Sequence, residues 1–231
     1  MARTTAYSTE QAFTQHLSQV FNYMSGGVAL SGVVAYLVST SPLLLTLAVK
    51  GNIVFMLVWL AFGFFMHSMV FRLQPVAALA VFGVFATLTG FSLAPLVLMY
   101  TGASIVAAFA TASVMFAGAS AYGYYSKKSL SGWGTFLMMG SWGLLGLGLT
   151  TIVLGLFGIP TGGMSFAFSL IAVPLFAGIT AWEVNTIRET FLQYATDNLL
   201  RSRLAILSAC SLYMNFVTMF INLLQLMGDR R

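Results

Sequence analysis

The sequence predicts an all-α integral membrane protein with seven transmembrane helices, and three observations carry that prediction. Of its 231 residues, 59% are hydrophobic and only 6% are charged, against roughly a quarter charged in an ordinary soluble domain. A surface facing water cannot be covered from that supply. Residues 73–126 and 129–182 each lack Asp, Glu, Lys and Arg entirely. Either run drawn out as one helix would be roughly 80 Å long, whereas about 20 residues cross a hydrocarbon core about 30 Å thick, so each run folds back as two spans. Three further apolar stretches, at 21–38, 53–71 and 204–227, bring the count to seven.

Taken in order, the predicted spans are 21–38, 53–71, 76–93, 105–125, 136–157, 164–182 and 204–227. Residues 1–20 precede them as a polar N-terminal tail, and 21–231 form the membrane domain. The tail contains Ser8-Thr9-Glu10-Gln11, which resembles a helix start, and lacks the order of basic residues, apolar run and cleavage site of a removable signal. The first span is therefore expected to be retained. In the first uncharged run, Ser92-Leu93-Ala94-Pro95 and Thr101-Gly102-Ala103-Ser104 bracket the midpoint and predict a hairpin turn. In the second, Gly158-Ile159-Pro160-Thr161-Gly162-Gly163 does the same.

Charge gives an orientation. With seven spans, Arg3, Arg72, Lys127, Lys128, Arg188, Arg201 and Arg203 fall on one side, and Lys50, Arg230 and Arg231 on the other. Short cytoplasmic loops are enriched in Lys and Arg, so the N-terminus is expected in the cytoplasm and the C-terminus outside. The net charge of +5 sits at membrane margins and not in a stripe, which gives no reason to expect nucleic acid. The single cysteine, Cys210, lies in the last apolar stretch and is expected to be a small core residue.

The chemistry of a membrane enzyme is missing from the sequence. Histidine occurs only at positions 16 and 67, and there is no His-Glu-x-x-His pair, no phosphate-binding glycine loop and no cysteine pair. No enzymatic activity, metal or cofactor is expected. His67, in the second span, fits a proton relay, a haem ligand or a packing residue, and packing is favoured because a haem would lack an obvious second histidine. The last span lacks the lysine that a retinal protein would need. Glycines such as Gly118, Gly123, Gly140, Gly143 and Gly146 are expected to let helices approach closely.

Polar groups inside the apolar stretches are functional candidates, because burying them costs several kcal/mol unless they are paired. Glu183 follows Trp182 at the end of the second uncharged run. If the last two helices form a hairpin with its tip around Thr196-Asp197-Asn198, Glu183 and Asn215 lie 16 residues to either side of Leu199 and reach similar depth. Asn215, Thr218, Asn222 and Gln225 follow steps of three and four and share one face of the last helix. A polar stripe on an apolar span faces protein or water, which marks the last helix as central. The stripe fits either interhelical glue or a path for a solute or proton. Arg72, three residues before Pro75, ends the second span on the side assigned to Glu183. Its side chain either snorkels to the interface or reaches inward to a carboxylate.

Several segments together resemble the bacterial branch of the Bax inhibitor-1 (TMBIM) family. They are Leu88-Thr89-Gly90-Phe91-Ser92-Leu93-Ala94-Pro95, Tyr100-Thr101-Gly102-Ala103-Ser104-Ile105, Ser120-Ala121-Tyr122-Gly123-Tyr124-Tyr125-Ser126-Lys127-Lys128, Leu130 through Gly140, Leu212-Tyr213-Met214-Asn215-Phe216 and Gly228-Asp229-Arg230-Arg231. The resemblance covers nearly the whole chain. It implies a bundle in the bacterial inner membrane whose last helix is wrapped by the other six. It further implies a pH-sensitive calcium leak or, for some bacterial members, regulation of a membrane-bound protease.

In the family the leak is gated by two aspartates, one late in the sixth helix and one in the seventh, which share a proton and engage an arginine of the second helix. The matching positions here hold Glu183, Asn215 and Arg72. Two adjacent carboxylates cannot both ionise readily, whereas an Asn has no proton to titrate. The resemblance thus implies a passive cation path, with calcium as the expected ion and a weakened or shifted pH response. The alternative is a non-transporting regulator that binds a membrane protease through the tail at 1–19.

Overall fold

The computed structural model describes residues 2–51, 54, 57–58, 61–62, 65, 68–69, 72–126, 129–193 and 197–230. Its elements are helices: α1 Ala2–Thr40, α2 Pro42–Lys50, α3 Pro75–Met99, α4 Gly102–Tyr125, α5 Ser131–Leu156, α6 Gly162–Gln193 and α7 Asn198–Met227. Among the described residues, α1 and α3 to α7 are long and apolar enough to cross a membrane. The expected span at 53–71 falls largely outside the described residues, His67 with it.

The residues at 2–20 are helical and continuous with the first span, so the polar segment is the opening half of α1. The short helix α2 was not anticipated. Its signal is Ser41-Pro42, an extended N-cap followed by a proline at the first helical position, where the missing N–H is no loss.

The hairpin turns differ in how they form. The turn in the first uncharged run lies at Tyr100 and Thr101, and Pro95 stays inside α3. One turn from a helix end, a proline frees few backbone groups, and membrane helices tolerate that. The Thr101 side chain then caps α4 by accepting a hydrogen bond from the Ser104 N–H at 3.2 Å. The turn between α5 and α6 falls where the glycines put it. Gly158, at φ +75°, takes a left-handed backbone, its N–H bonds to the Gly155 carbonyl, and the Ile159 N–H bonds to that of Leu154. This is a Schellman ending, which favours glycine at that position. Between α6 and α7, the Asp197 carboxylate accepts the Leu200 N–H at 3.0 Å and caps α7.

The chain forms two compact units, Met1–Tyr100 with Ile187–Tyr213, and Thr101–Thr186 with Met214–Arg230. In the first, α1 packs on α3 and on α2, where Val38, Ala48 and Ala94 form a small core. The approach of α1 to α3 is close enough that a Cβ on Gly90 would stand 2.5 Å from the Ser31 carbonyl oxygen. In the second, a Cβ on Gly123 of α4 would collide with the Ala181 carbonyl of α6. Gly118, Gly143 and Gly146, expected to serve packing as well, have no described atom within contact of a would-be Cβ.

Burial separates the helices. In its most apolar window α7 is 56% buried, while α5 is only 11% buried. Large apolar side chains such as Phe136, Met139 and Trp142 of α5 are exposed, as suits a lipid-facing helix. Cys210, in α7, is fully buried.

Candidate functional site

The candidate site is built on α6 and α7 within the second unit. Neither helix offers another carboxylate in that unit before Asp229, beyond the end of α7. Glu183 sits where α6 has run 22 residues from its start at Gly162, and Asn215 lies mid-way along α7. The Asn215 amide nitrogen donates to Oε2 of Glu183 at 2.7 Å. Equal distance from the hairpin tip predicted equal depth, and the side chains meet. An amide donor opposite an ionised acceptor makes a charge-assisted bond, about twice as strong as a neutral one. Asn215 is buried, and Glu183 is partly so.

The rest of the stripe on α7 does not continue this contact as a chain. Thr218 donates to the Met214 carbonyl and Asn222 to the Thr218 carbonyl, both within α7. Gln225 accepts a bond from Ser169 of α6 at 2.8 Å. The stripe therefore holds one tie to α6 at each end and two self-satisfied residues between. Arg72 is helical, exposed and part of the first unit.

Sequence reasoning missed Asn185, two residues beyond Glu183. It is 5% exposed, accepts the Leu130 N–H at 3.0 Å on Oδ1, and donates from Nδ2 to the Gly123 carbonyl at 3.3 Å. One amide thus ties α6 to both the end of α4 and the start of α5. The signal was available, since a buried Asn among apolar neighbours needs partners for both its donor and its acceptor.

It also missed Ser31 in the first unit. The Ser31 hydroxyl lies 2.9 Å from the Gly27 carbonyl, 2.7 Å from that of Ala86 and 2.5 Å from the Tyr213 hydroxyl. Tyr213 is fully buried, edge-on to the rings of Phe82 and Phe85. Among the described residues, no group of three His, Cys, Asp or Glu side chains could hold a metal ion.

Two of the segments that suggested a family meet in the second unit. The Thr101 N–H donates to the Asp229 carbonyl at 3.2 Å, and the Asp229 N–H to the Ser104 hydroxyl at 2.9 Å. The family model described as Inhibitor of apoptosis-promoting Bax1 matches residues 13–231. The chain belongs to the Bax inhibitor-1 family.

Relatives of this Bax inhibitor-1 family chain include the uncharacterized protein RP147 of Rickettsia prowazekii, 33% identical over 96% of this chain and 92% of its own length. A Borreliella burgdorferi protein is 29% identical over 93% of this chain and 92% of its own. Inner membrane protein YbhL of Escherichia coli is 29% identical over 94% and 92%. These names and the apolar helices agree that the family member described here is a membrane protein.

Proposed function

We propose that the protein is a passive, low-affinity path for a hard cation, calcium being the expected ion, with Glu183 as its acidic group and Asn215 as the residue that holds it. The observation carrying this reading is the 2.7 Å bond between the two in a stretch otherwise free of charge. Calcium takes oxygen ligands, and one carboxylate with neighbouring carbonyls makes a weak site of the kind that conduction needs. The high burial of α7 supports its role as the axis of the bundle. Because Asn215 contributes no titrating proton, the path responds to pH less steeply than a carboxylate pair would. Arg72 belongs to this reading only through the family pattern. The test is calcium flux into proteoliposomes across roughly pH 6 to 8. Loss of flux in Glu183→Gln is expected, and a steep pH dependence that survives this substitution overturns the reading.

One observation favours a second reading, a regulator of a membrane protease. The 39 residues of α1 span about 58 Å at 1.5 Å each, well beyond a core of about 30 Å. Its opening turns would then project from the membrane as a docking helix. Co-purification with a protease that deletion of 1–19 abolishes, together with absent flux, selects this reading.

A further inference from the structure

A buried histidine in the first unit is used neither by the Glu183–Asn215 contact nor by the helix caps. It stands on α1 ahead of the apolar span at 21–38, on a face that Phe13, His16, Leu17, Val20 and Met24 make at steps of three and four. All five are buried, His16 at 5% exposure. Phe191, near the end of α6, receives this face: its ring centroid lies 5.6 Å from that of Phe13 and 5.2 Å from the His16 imidazole, the latter tilted by 36°. From α7, Arg201 stands over the same Phe191 ring with its Cζ 4.9 Å from the centroid. One aromatic ring of α6 thus brings together a histidine of α1 and an arginine of α7.

This place suits a neutral imidazole. Burial strips water from the charged form and Arg201 repels it, which together push the His16 pKa from 6.5 down to about 4. No other charge offsets that repulsion. Arg188, against Phe13 at 6.0 Å, is a cation, and Arg203 is turned to the Leu73 carbonyl. Glu10, Glu189 and Asp197, the carboxylates of this unit, are exposed. α3 carries no charged residue, and α2, which ends in Lys50, packs at the far end of α1 beside Val38. The enclosed Nε of Arg201 meets no hydrogen-bond partner among the described residues. If α1 lifts away, the imidazole enters water and regains its ordinary pKa of about 6.5. The released form then binds a proton that the docked form refuses. Docking is therefore fully present above about pH 6.5 and weakens about tenfold per pH unit below it, until the docked imidazole itself titrates.

We propose that this contact is a proton-operated latch: uptake of a proton by His16 releases the opening half of α1 from Phe191 and Arg201, and the neutral imidazole holds it docked. The proposal is independent of the cation path and of the protease reading.

The experiment uses the full chain in lipid nanodiscs, with Cys210→Ala to remove the native thiol and nitroxide labels on Gln11→Cys and Leu199→Cys. Both labelled positions are exposed and belong to the first unit. Dipolar electron spin resonance reads the distance between α1 and the start of α7. The ratio of long to short distances is expected to rise about thirtyfold between about pH 8 and pH 5. His16→Gln and His16→Phe, which take up no proton there, are expected to give the same distances at both values. With His16 in place, a ratio that does not change across this range overturns the proposal, and so does a release that persists in His16→Phe. Should His16→Gln fail to dock at either pH, His16→Phe, which keeps a ring against Phe191, decides the matter alone.

Discussion

Two polar nodes stand two residues apart in the sequence of α7, and they are built from different chemistry. In the first unit, the Tyr213 hydroxyl meets that of Ser31, which also reaches the Ala86 carbonyl, and Tyr213 is fully buried, edge-on to Phe82 and Phe85. In the second, Asn215 meets an ionisable carboxylate, Glu183, which is only partly buried. A neutral node has one charge state over the physiological range and serves to fix helix positions. A carboxylate node can also carry a charge, which is expensive in a membrane unless it has a use. The proposed function rests on the second node, and the first is fully explained as a packing contact.

The largest expected effect tests the structural node. Gly90→Val puts side-chain atoms into the Ser31 backbone and should destabilise the protein by about 3 kcal/mol, at the upper end of overpacking costs. Thermal unfolding in detergent checks it, and an unchanged midpoint would mean that α1 and α3 are not held at this distance. Next, Glu183→Gln keeps the size of the side chain and removes its charge. Calcium flux should fall about tenfold or more, equivalent to ~1.4 kcal/mol, with the unfolding midpoint nearly unchanged. A stable variant with full flux would move the function away from Glu183.

Asn215→Asp sharpens the comparison by installing a second carboxylate 2.7 Å from the first. Such a pair holds one proton near neutrality, so flux should become dependent on pH by about three- to fivefold between roughly pH 6 and 8. Flux curves that overlay those of the unsubstituted chain would show that the pair does not gate. The smallest effect belongs to Tyr213→Phe, which removes one hydroxyl and should cost about 0.6 kcal/mol, typical of interhelical bonds in membranes. Its flux and pH profile should stay as they were. A changed pH profile here would erase the division between the two nodes.

The sequence made the helices legible because lipid leaves the chain few choices. An uncharged run of 54 residues has to fold back, and glycine at 158 marked the turn because only a residue without Cβ adopts that backbone freely. Pro95 misled for the opposite reason. A proline ends helices in water, but near a helix terminus in a membrane its lost hydrogen bond is easily accommodated. The Glu183–Asn215 contact could be anticipated, since a hairpin relates positions at equal distance from its tip. The contacts of Asn185 could not, because Gly123 and Leu130 lie 62 and 55 residues away and no local period connects them.

By itself the sequence determined the all-helical class, most of the membrane-crossing segments, the family and the candidate polar residues, for these follow from hydropathy and local pattern. Only the tertiary structure decided which polar residues on α7 bond to another helix and which satisfy themselves. Thr218 and Asn222 share a face with Asn215 yet turn to their own backbone. A helix face fixes the direction in which a side chain leaves the axis. Whether a partner waits at the right height on the neighbouring helix depends on contacts that no single segment encodes.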